Sequence, residues 1–262
     1  MTGSAAEPSS SWDGFEYERV SALQRGVGAT FVDSLELERP TSILDVGCGD
    51  GFLTEQIAQR SRADVLGVDA SPAMIARAVE RTTDRLRFAE ADVVTMEFAA
   101  RFDLVLSLNT LHWVLDLEAA FARLFAAGAP GSLLTCQLVA ASDADSVEDV
   151  AARLSEEPDW RGYFDDGFHP YVHPTASQLR TFAGGAGYQS VTISSWDEVF
   201  TFPTAAHFER WCVAGMSVWT DRLPEDRRAG FVHDVTDRYA RVSGSPCEFH
   251  FAQARLSAER IS

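Results

Sequence analysis

The chain has 262 residues, of which 46% are hydrophobic and 23% are charged, and these proportions exclude a disordered, collagen-like or coiled-coil protein. The formal net charge is -17 and every basic residue is an arginine, so binding to nucleic-acid phosphates or to an anionic membrane is not expected. No stretch approaches the roughly 20 apolar residues of a membrane span, and the N-terminus shows no secretory signal. We therefore expect a cytoplasmic protein whose partner is a small molecule or a carrier-linked group.

Strands and helices alternate along the first half of the chain. Residues 1–11 are small and polar and predict a disordered tail, and an amphipathic helix follows that ends before Pro40. Strands are predicted at 41–47, 64–69, 86–92, 102–109 and 131–139, with helices at 51–60, 71–82 and 117–126 between them. This alternation predicts an α/β fold with an open, doubly wound, Rossmann-like parallel sheet.

The regular alternation of predicted strands and helices ends after residue 142. Helices are predicted at 145–156, 176–184, 204–218 and 224–241, and strands at 187–202 and 248–256. No internal repeat divides the chain, which favours a single domain over 12–262. We expect a mostly parallel seven-stranded sheet with a helical cap, built from 143–175 and 203–245, over the active site.

The strongest chemical signal is the glycine-rich segment DVGCGDG at 45–51, which joins a buried strand to the start of a helix. Small residues at such a turn let a ligand approach the backbone, and the N–H groups of the helix start face that ligand. A dinucleotide fingerprint would place its third glycine at position 52, which is Phe52. The spacing therefore disfavours a nicotinamide cofactor.

Two carboxylates follow at the ends of the next predicted strands. Asp69 closes the second strand, where an acidic side chain can accept hydrogen bonds from ribose hydroxyls. Asp92 closes the third strand and can meet an adenine amino group. Because open sheets bind ligands at the carboxyl ends of their strands, these residues and the glycine loop predict a nucleoside pocket.

The segments DVGCGDG, GVDASPAMI, AEADV and FDLVLSLNTLHWV resemble those of class I S-adenosylmethionine-dependent methyltransferases, in the same order and spacing. The resemblance implies that the glycine loop holds the methionine part of S-adenosylmethionine, Asp69 the ribose, and Asp92 with the Val93 backbone the adenine. The cofactor-binding residues it implies are Asp45, Gly47, Cys48, Gly49, Gly51, Asp69, Ala70, Met74, Asp92, Val93 and Asn109. The SPAMIARA helix and the LHW segment further resemble the small-acid carboxyl methyltransferases, of the trans-aconitate, malonyl-acyl-carrier and juvenile-hormone acid types.

The acceptor would meet the methyl group after the fourth predicted strand, near His112 and Trp113. A carboxylate acceptor needs no base, whereas an amine, phenol or carbon acceptor needs a proton acceptor, for which His112 is the first candidate. The alternative is that both residues belong to the core. As substrate-binding candidates we name Trp12, Tyr17, Gln24, Trp113, Arg161, His169 and Trp211, the first three on a lid helix.

Metal binding is not expected. His169, Tyr171 and His173 have a spacing found among metal ligands, but no third strong ligand is near, and the four cysteines form no CxxC pair. The favoured function is methyl transfer from S-adenosylmethionine to the carboxylate of a small acid or natural-product intermediate. The alternatives are N-, C- or phenolic O-methylation, a non-methylating reaction such as cyclisation, and a non-catalytic binding module.

Overall fold

The computed structural model describes residues 22–261, with side chains from residue 26 onward. The predicted tail and the candidates Trp12 and Tyr17 lie outside this part of the chain, and so does the side chain of Gln24. The first described element is helix α1 (Ala22–Asp33). None of the helices in 22–261 is both long enough and apolar enough to cross a membrane.

One open sheet organises the described chain. Its strands are β1 (Ser42–Val46), β2 (Asp64–Asp69), β3 (Leu86–Glu90), β4 (Phe102–Leu108), β5 (Gly128–Ala140), β6 (Gln189–Thr201) and β7 (Glu248–Glu259). They lie in the order β3-β2-β1-β4-β5-β7-β6. The first five pair in parallel, while β7 inserts antiparallel between β5 and β6. The prediction of an open, mostly parallel, seven-stranded Rossmann-like sheet is confirmed.

Helices flank the sheet and continue into the second half of the chain. They are α2 (Phe52–Arg60), α3 (Pro72–Ala78), α4 (Leu117–Ala127), α5 (Val147–Ser155), α6 (Ala176–Ala186), α7 (Ala205–Gly215), α8 (Ser217–Thr220) and α9 (Glu225–Ser243), with short 3-10 helices at Val79–Arg81, Leu111–Trp113 and Arg161–Tyr163. Ser71 accepts a hydrogen bond from the backbone N–H of Met74, and Pro72 occupies the first turn of α3. The sequence predicts both features, because the first turn of a helix leaves its N–H groups unpaired.

The helix predicted over 204–218 is wrong as a single element. It is two helices, α7 and α8, separated at Met216, whose φ of -104° and ψ of 25° are not helical. Gly215 is a poor helix former, and the Met216 side chain is buried. Burial of that side chain therefore decides where the chain turns.

Alternate residues of β1 face opposite sides of the sheet, and each side carries helices. Leu44 packs in an apolar cluster that includes residues of α4 and α6, whereas Ile43 packs in a cluster that includes residues of α1 and α2. A third cluster joins residues between 147 and 171 to residues between 202 and 239, against Phe249 and Phe251 of β7. This third cluster, the cap core, lies within the segments predicted as a cap; the domain boundaries themselves stay a prediction.

Candidate active site

Three glycines shape the turn between β1 and α2. Gly47, Gly49 and Gly51 have φ values of 77°, 55° and 78°, a region that side-chain-bearing residues rarely adopt. A Cβ atom at Gly47 would also lie 2.0 Å from Oγ1 of Thr110, so the chain after β4 packs directly on this turn. At Gly49, by contrast, an added Cβ atom would meet nothing within 4 Å in the described chain, so the turn leaves room for a ligand there.

Asp69 connects this turn with the start of α3. Its Oδ2 accepts a hydrogen bond from Gly49 N at 2.9 Å, and its Oδ1 accepts one from Ser71 N at 2.8 Å. Because the carboxylate is held by two backbone donors, its position at the carboxyl end of β2 is set before any ligand binds.

A cavity of about 1040 Å³ opens along the carboxyl ends of β1, β2 and β4. Ten candidates from the sequence border it: Gly47, Cys48, Gly49, Asp69, Ala70, Met74, Asp92, Val93, Asn109 and Trp113. The volume lies at the upper end of the range for small-molecule sites. The structure brings these candidates together around one space, and their individual contacts with a ligand stay predictions.

Asp45 of β1 and Gly51 of the glycine turn do not border the cavity among the described residues. The Asp45 carboxylate is buried and accepts a hydrogen bond from Oγ1 of Thr54 at 2.7 Å. Burial, with the nearby charge of Asp69, raises the pKa of Asp45 to about 6. The hydrogen bond from Thr54 joins β1 to α2, and the cofactor contact expected of Asp45 stays a prediction.

The cavity wall is mostly apolar on the side where we expect the methyl acceptor. The residues on this side are Thr110, Trp113, Val114, Leu115 and Val218. The Trp113 ring packs edge to face on Trp219 with 6.3 Å between centroids. Its indole N–H has no acceptor within the described part of the chain, and it is available as a donor to a ligand.

His112 is directed away from this cavity. Its side chain is 4% exposed, it does not border the cavity, and its Nδ1 has no hydrogen-bond partner in the described chain. Burial, helped by the neighbouring His173, lowers the pKa of His112 to about 3, so the imidazole is neutral at physiological pH. The role of His112 as a general base stays a prediction, and the structure places its ring 6.4 Å from that of His173.

Three further candidates also lie away from the cavity. Arg161 and His169 are exposed, and the His169 ring packs at a tilt on Tyr171, with 4.3 Å between centroids. Trp211 packs on Phe249 at 4.7 Å within the cap core. None of the three borders the cavity among the described residues, and their contacts with a substrate stay predictions. No three potential metal ligands cluster within the described residues.

Sequence reasoning missed a buried polar chain next to the cavity. It consists of Asn109, Gln137, Gln253 and Arg255, and we call it the amide relay. Gln137 and Gln253 are 2% and 1% exposed and lie in otherwise apolar stretches of β5 and β7. The sequence does carry a signal for such a chain. A glutamine inside an apolar strand is expected to be buried, and a buried amide needs a hydrogen-bond partner.

Comparison with known proteins agrees with the fold and the cavity. A methyltransferase domain model matches residues 43–131. The trans-aconitate 2-methyltransferase of Deinococcus radiodurans is 31% identical over 76% of this chain and 78% of that protein. The malonyl-[acyl-carrier protein] O-methyltransferase of Legionella pneumophila is 34% identical over 42% of this chain and 40% of that protein.

Among solved structures, the phosphoethanolamine N-methyltransferase 2 of Haemonchus contortus, in complex with phosphomonomethylethanolamine and S-adenosylhomocysteine, has a TM-score of 0.62. It is 17% identical, and the match covers 95% of this chain and 57% of that chain. The sequence relative and the matching domain model, on this Rossmann-like fold, define a methyltransferase. The chain belongs to the S-adenosylmethionine-dependent methyltransferases, and S-adenosylmethionine is its cofactor.

The residues present fit this cofactor. Gly49 borders the cavity, and an added Cβ atom there would have no neighbour within 4 Å in the described chain, so the space beside this part of the turn is open to a ligand. Asp69 and Asp92 border the cavity as carboxylate acceptors for the hydroxyl and amino groups of a nucleoside. Burial raises the pKa of the Cys48 thiol, so this thiol is uncharged at neutral pH.

Proposed function

We propose that the protein methylates the carboxylate of a small acid, free or carrier-linked, to form a methyl ester. The observation that carries this proposal is the indole N–H of Trp113, a residue of the cavity wall, which has no acceptor in the described chain and can bind a carboxylate oxygen. A carboxylate is ionised at neutral pH and attacks without losing a proton, so it needs no base. A phenol must lose its proton, and the buried, neutral His112 is not positioned to accept it.

S-adenosylmethionine supplies a methyl group that is already activated by its sulfonium charge. The chain therefore has to align the acceptor with that methyl group and exclude water. We infer that Asp69 accepts hydrogen bonds from the ribose hydroxyls and Asp92 one from the adenine amino group. The glycine turn would let the remainder of the cofactor lie along the backbone.

Trp113 is the residue we assign to the acceptor. Its indole N–H is an unpaired donor on the wall and can bind one carboxylate oxygen while the other oxygen attacks. The ring is held between Trp219 and His112, whose centroids lie 6.3 and 5.0 Å away. In this arrangement His112 does not bind the acceptor itself. It packs, uncharged, against the Trp113 ring and helps to hold that ring in place.

The relatives support an acid as the acceptor. One is named for trans-aconitate and another for a malonyl group on acyl-carrier protein. Both named acceptors present a carboxylate to the methyl donor. The described wall carries one cationic side chain, Arg77, so an acceptor with a single free carboxylate suits this cavity.

The proposal is tested with methyl-labelled S-adenosylmethionine and a panel of acceptors. The acids are trans-aconitate, a malonyl thioester, benzoate and dodecanoate, and the matched non-acids are phenol and benzylamine. We expect label only in acid products, and mild base should release it as methanol. Base-stable label in phenol or benzylamine, with none in any acid, would contradict the carboxylate assignment.

A further inference from the structure

The amide relay runs from β7 through β5 to the edge of the cavity. Arg255 Nε and Nη2 donate to Oε1 of Gln137 at 3.0 and 2.7 Å. Gln137 Nε2 donates to Oε1 of Gln253 at 2.9 Å, and Gln253 Nε2 donates to Oδ1 of Asn109 at 3.3 Å. Each amide thus accepts from one neighbour and donates to the next.

The orientation of every amide in the relay follows from the arginine. A guanidinium has only N–H donors and keeps its charge, so the side chain facing it must present an oxygen. Gln137 therefore turns its nitrogen toward Gln253, and Gln253 turns its nitrogen toward Asn109. Arg255 is itself held, because its Nη1 donates to Oγ of Ser34 at 2.8 Å and its guanidinium packs over the Phe31 ring.

Asn109 is the end of the relay that borders the cavity. Its Oδ1 is engaged by Gln253, which leaves the Nδ2 group as its donor toward a ligand; Nδ2 has no acceptor within the described part of the chain. Its backbone φ of 50° is in the left-handed region, and its backbone N–H donates to the carbonyl of Gln137 at 2.7 Å. Residues of two neighbouring strands thus hold Asn109, because Gln137 of β5 binds its backbone N–H and Gln253 of β7 binds its side-chain oxygen.

We propose that Gln137, Gln253 and Arg255 are positioning residues that present the Asn109 Nδ2 donor to a carboxylate in the cavity. Two carboxylates are available there, that of the methionine part of the cofactor and that of the acceptor. The second source rests on the proposed function, whereas the first does not. An amide in the opposite orientation would present an oxygen and repel either group.

The decisive variants reverse the relay while keeping its shape. In Gln137→Glu, the introduced carboxylate binds Arg255 and accepts hydrogen bonds only. Gln253 must then turn its nitrogen toward residue 137, and Asn109 must turn its nitrogen toward Gln253 and its oxygen toward the cavity. Gln253→Glu reverses Asn109 directly, and Gln189→Glu, at an exposed position of β6, is the matched control.

Binding of S-adenosylhomocysteine and of 5′-methylthioadenosine, which lacks the amino-acid part, is measured by calorimetry. If the cofactor carboxylate is the ligand, both reversing variants weaken S-adenosylhomocysteine by about 10- to 100-fold and leave 5′-methylthioadenosine unchanged. If the acceptor carboxylate is the ligand, both nucleosides bind normally, and KM rises by a similar factor for the panel acid with the highest turnover.

Two other results of the same binding and kinetic measurements would overturn the proposal. Unchanged affinity for S-adenosylhomocysteine with unchanged KM would overturn it. Equal weakening of both nucleosides together with a lower melting temperature would also overturn it, because that pattern shows a merely structural role. If no acid in the panel is esterified, the proposed function fails, while the binding comparison still decides the relay.

Discussion

At the scale of single residues, Asp69 carries the clearest prediction for the cofactor. Replacing it with alanine removes the proposed acceptor for the ribose and the observed partner of Gly49 N and Ser71 N. We expect Asp69→Ala to weaken S-adenosylmethionine binding by about 1.5 to 3 kcal/mol, the usual cost of losing a hydrogen bond to a charged group. Calorimetric titration measures this change.

Glu90→Ala is the matched control for Asp69→Ala. Glu90 pairs in register with Asp69 on β3, is exposed, and does not border the cavity. It should bind S-adenosylmethionine as the unmodified protein does. Equal losses in the two variants would mean that general charge, and no specific contact, explains the role of Asp69.

The buried imidazoles predict a dependence of stability on pH. The pKa of His112 is lowered to about 3 and that of His173 to about 4, chiefly by burial. Below about pH 6.5 the unfolded chain takes up protons that the native chain does not, so these residues make stability fall as pH decreases. The slope is at most about 1.4 kcal/mol per pH unit for each histidine.

His112→Leu should remove one of these contributions. Urea unfolding between pH 7.5 and 5 should show a shallower fall in stability for the variant than for the unmodified protein. The raised pKa values of Asp45 and Glu148, both about 6, act in the opposite sense and are common to both proteins. His169→Leu removes an exposed imidazole as a control, and parallel slopes for His112→Leu would refute the burial argument.

At the scale of secondary-structure elements, the turn between β1 and α2 packs against the segment that follows β4. Gly49→Ala introduces only the left-handed backbone penalty, because no atom lies within 4 Å of its added Cβ, and we expect a cost of about 1 to 2 kcal/mol. Gly47→Ala adds a clash with Thr110, so its cost should be greater by about 1 to 3 kcal/mol. Urea unfolding without ligand measures both, and equal costs would show that the two segments do not pack closely.

At the scale of the whole molecule, charge predicts the response to salt. The net charge is -17, and the described wall holds four aspartates against Arg77. An anionic acceptor is therefore repelled, and screening should relieve this repulsion as the Debye length falls from about 30 Å at 0.01 M to about 8 Å at 0.15 M. We expect kcat/KM for the preferred acid to rise several-fold over this range.

Binding of the uncharged 5′-methylthioadenosine is the reference for the salt experiment and should change little. A fall in kcat/KM with salt would show instead that local cationic contacts dominate the approach of the acceptor. The described residues offer only Arg77 on the cavity wall for such contacts.

The sequence by itself determined the sheet, the glycine turn and the carboxylates at the strand ends, because each depends on residues that are close together in the chain. Glycines at positive φ, an alternating strand and helix pattern, and aspartates at strand ends are local properties. Ten candidates from these segments border one cavity. The break between α7 and α8 was not predictable, since it depends on the burial of Met216 by distant segments.

Only the tertiary structure decided which side chains face the ligand. His112 and Trp113 are adjacent in one 3-10 turn, yet Trp113 borders the cavity and His112 is buried against His173 of the cap, because the direction of each ring depends on the segments packed around the turn. Gln137 and Gln253 are 116 residues apart and meet because β7 pairs antiparallel with β5. No local pattern encodes that pairing, so the amide relay exists only in the folded sheet.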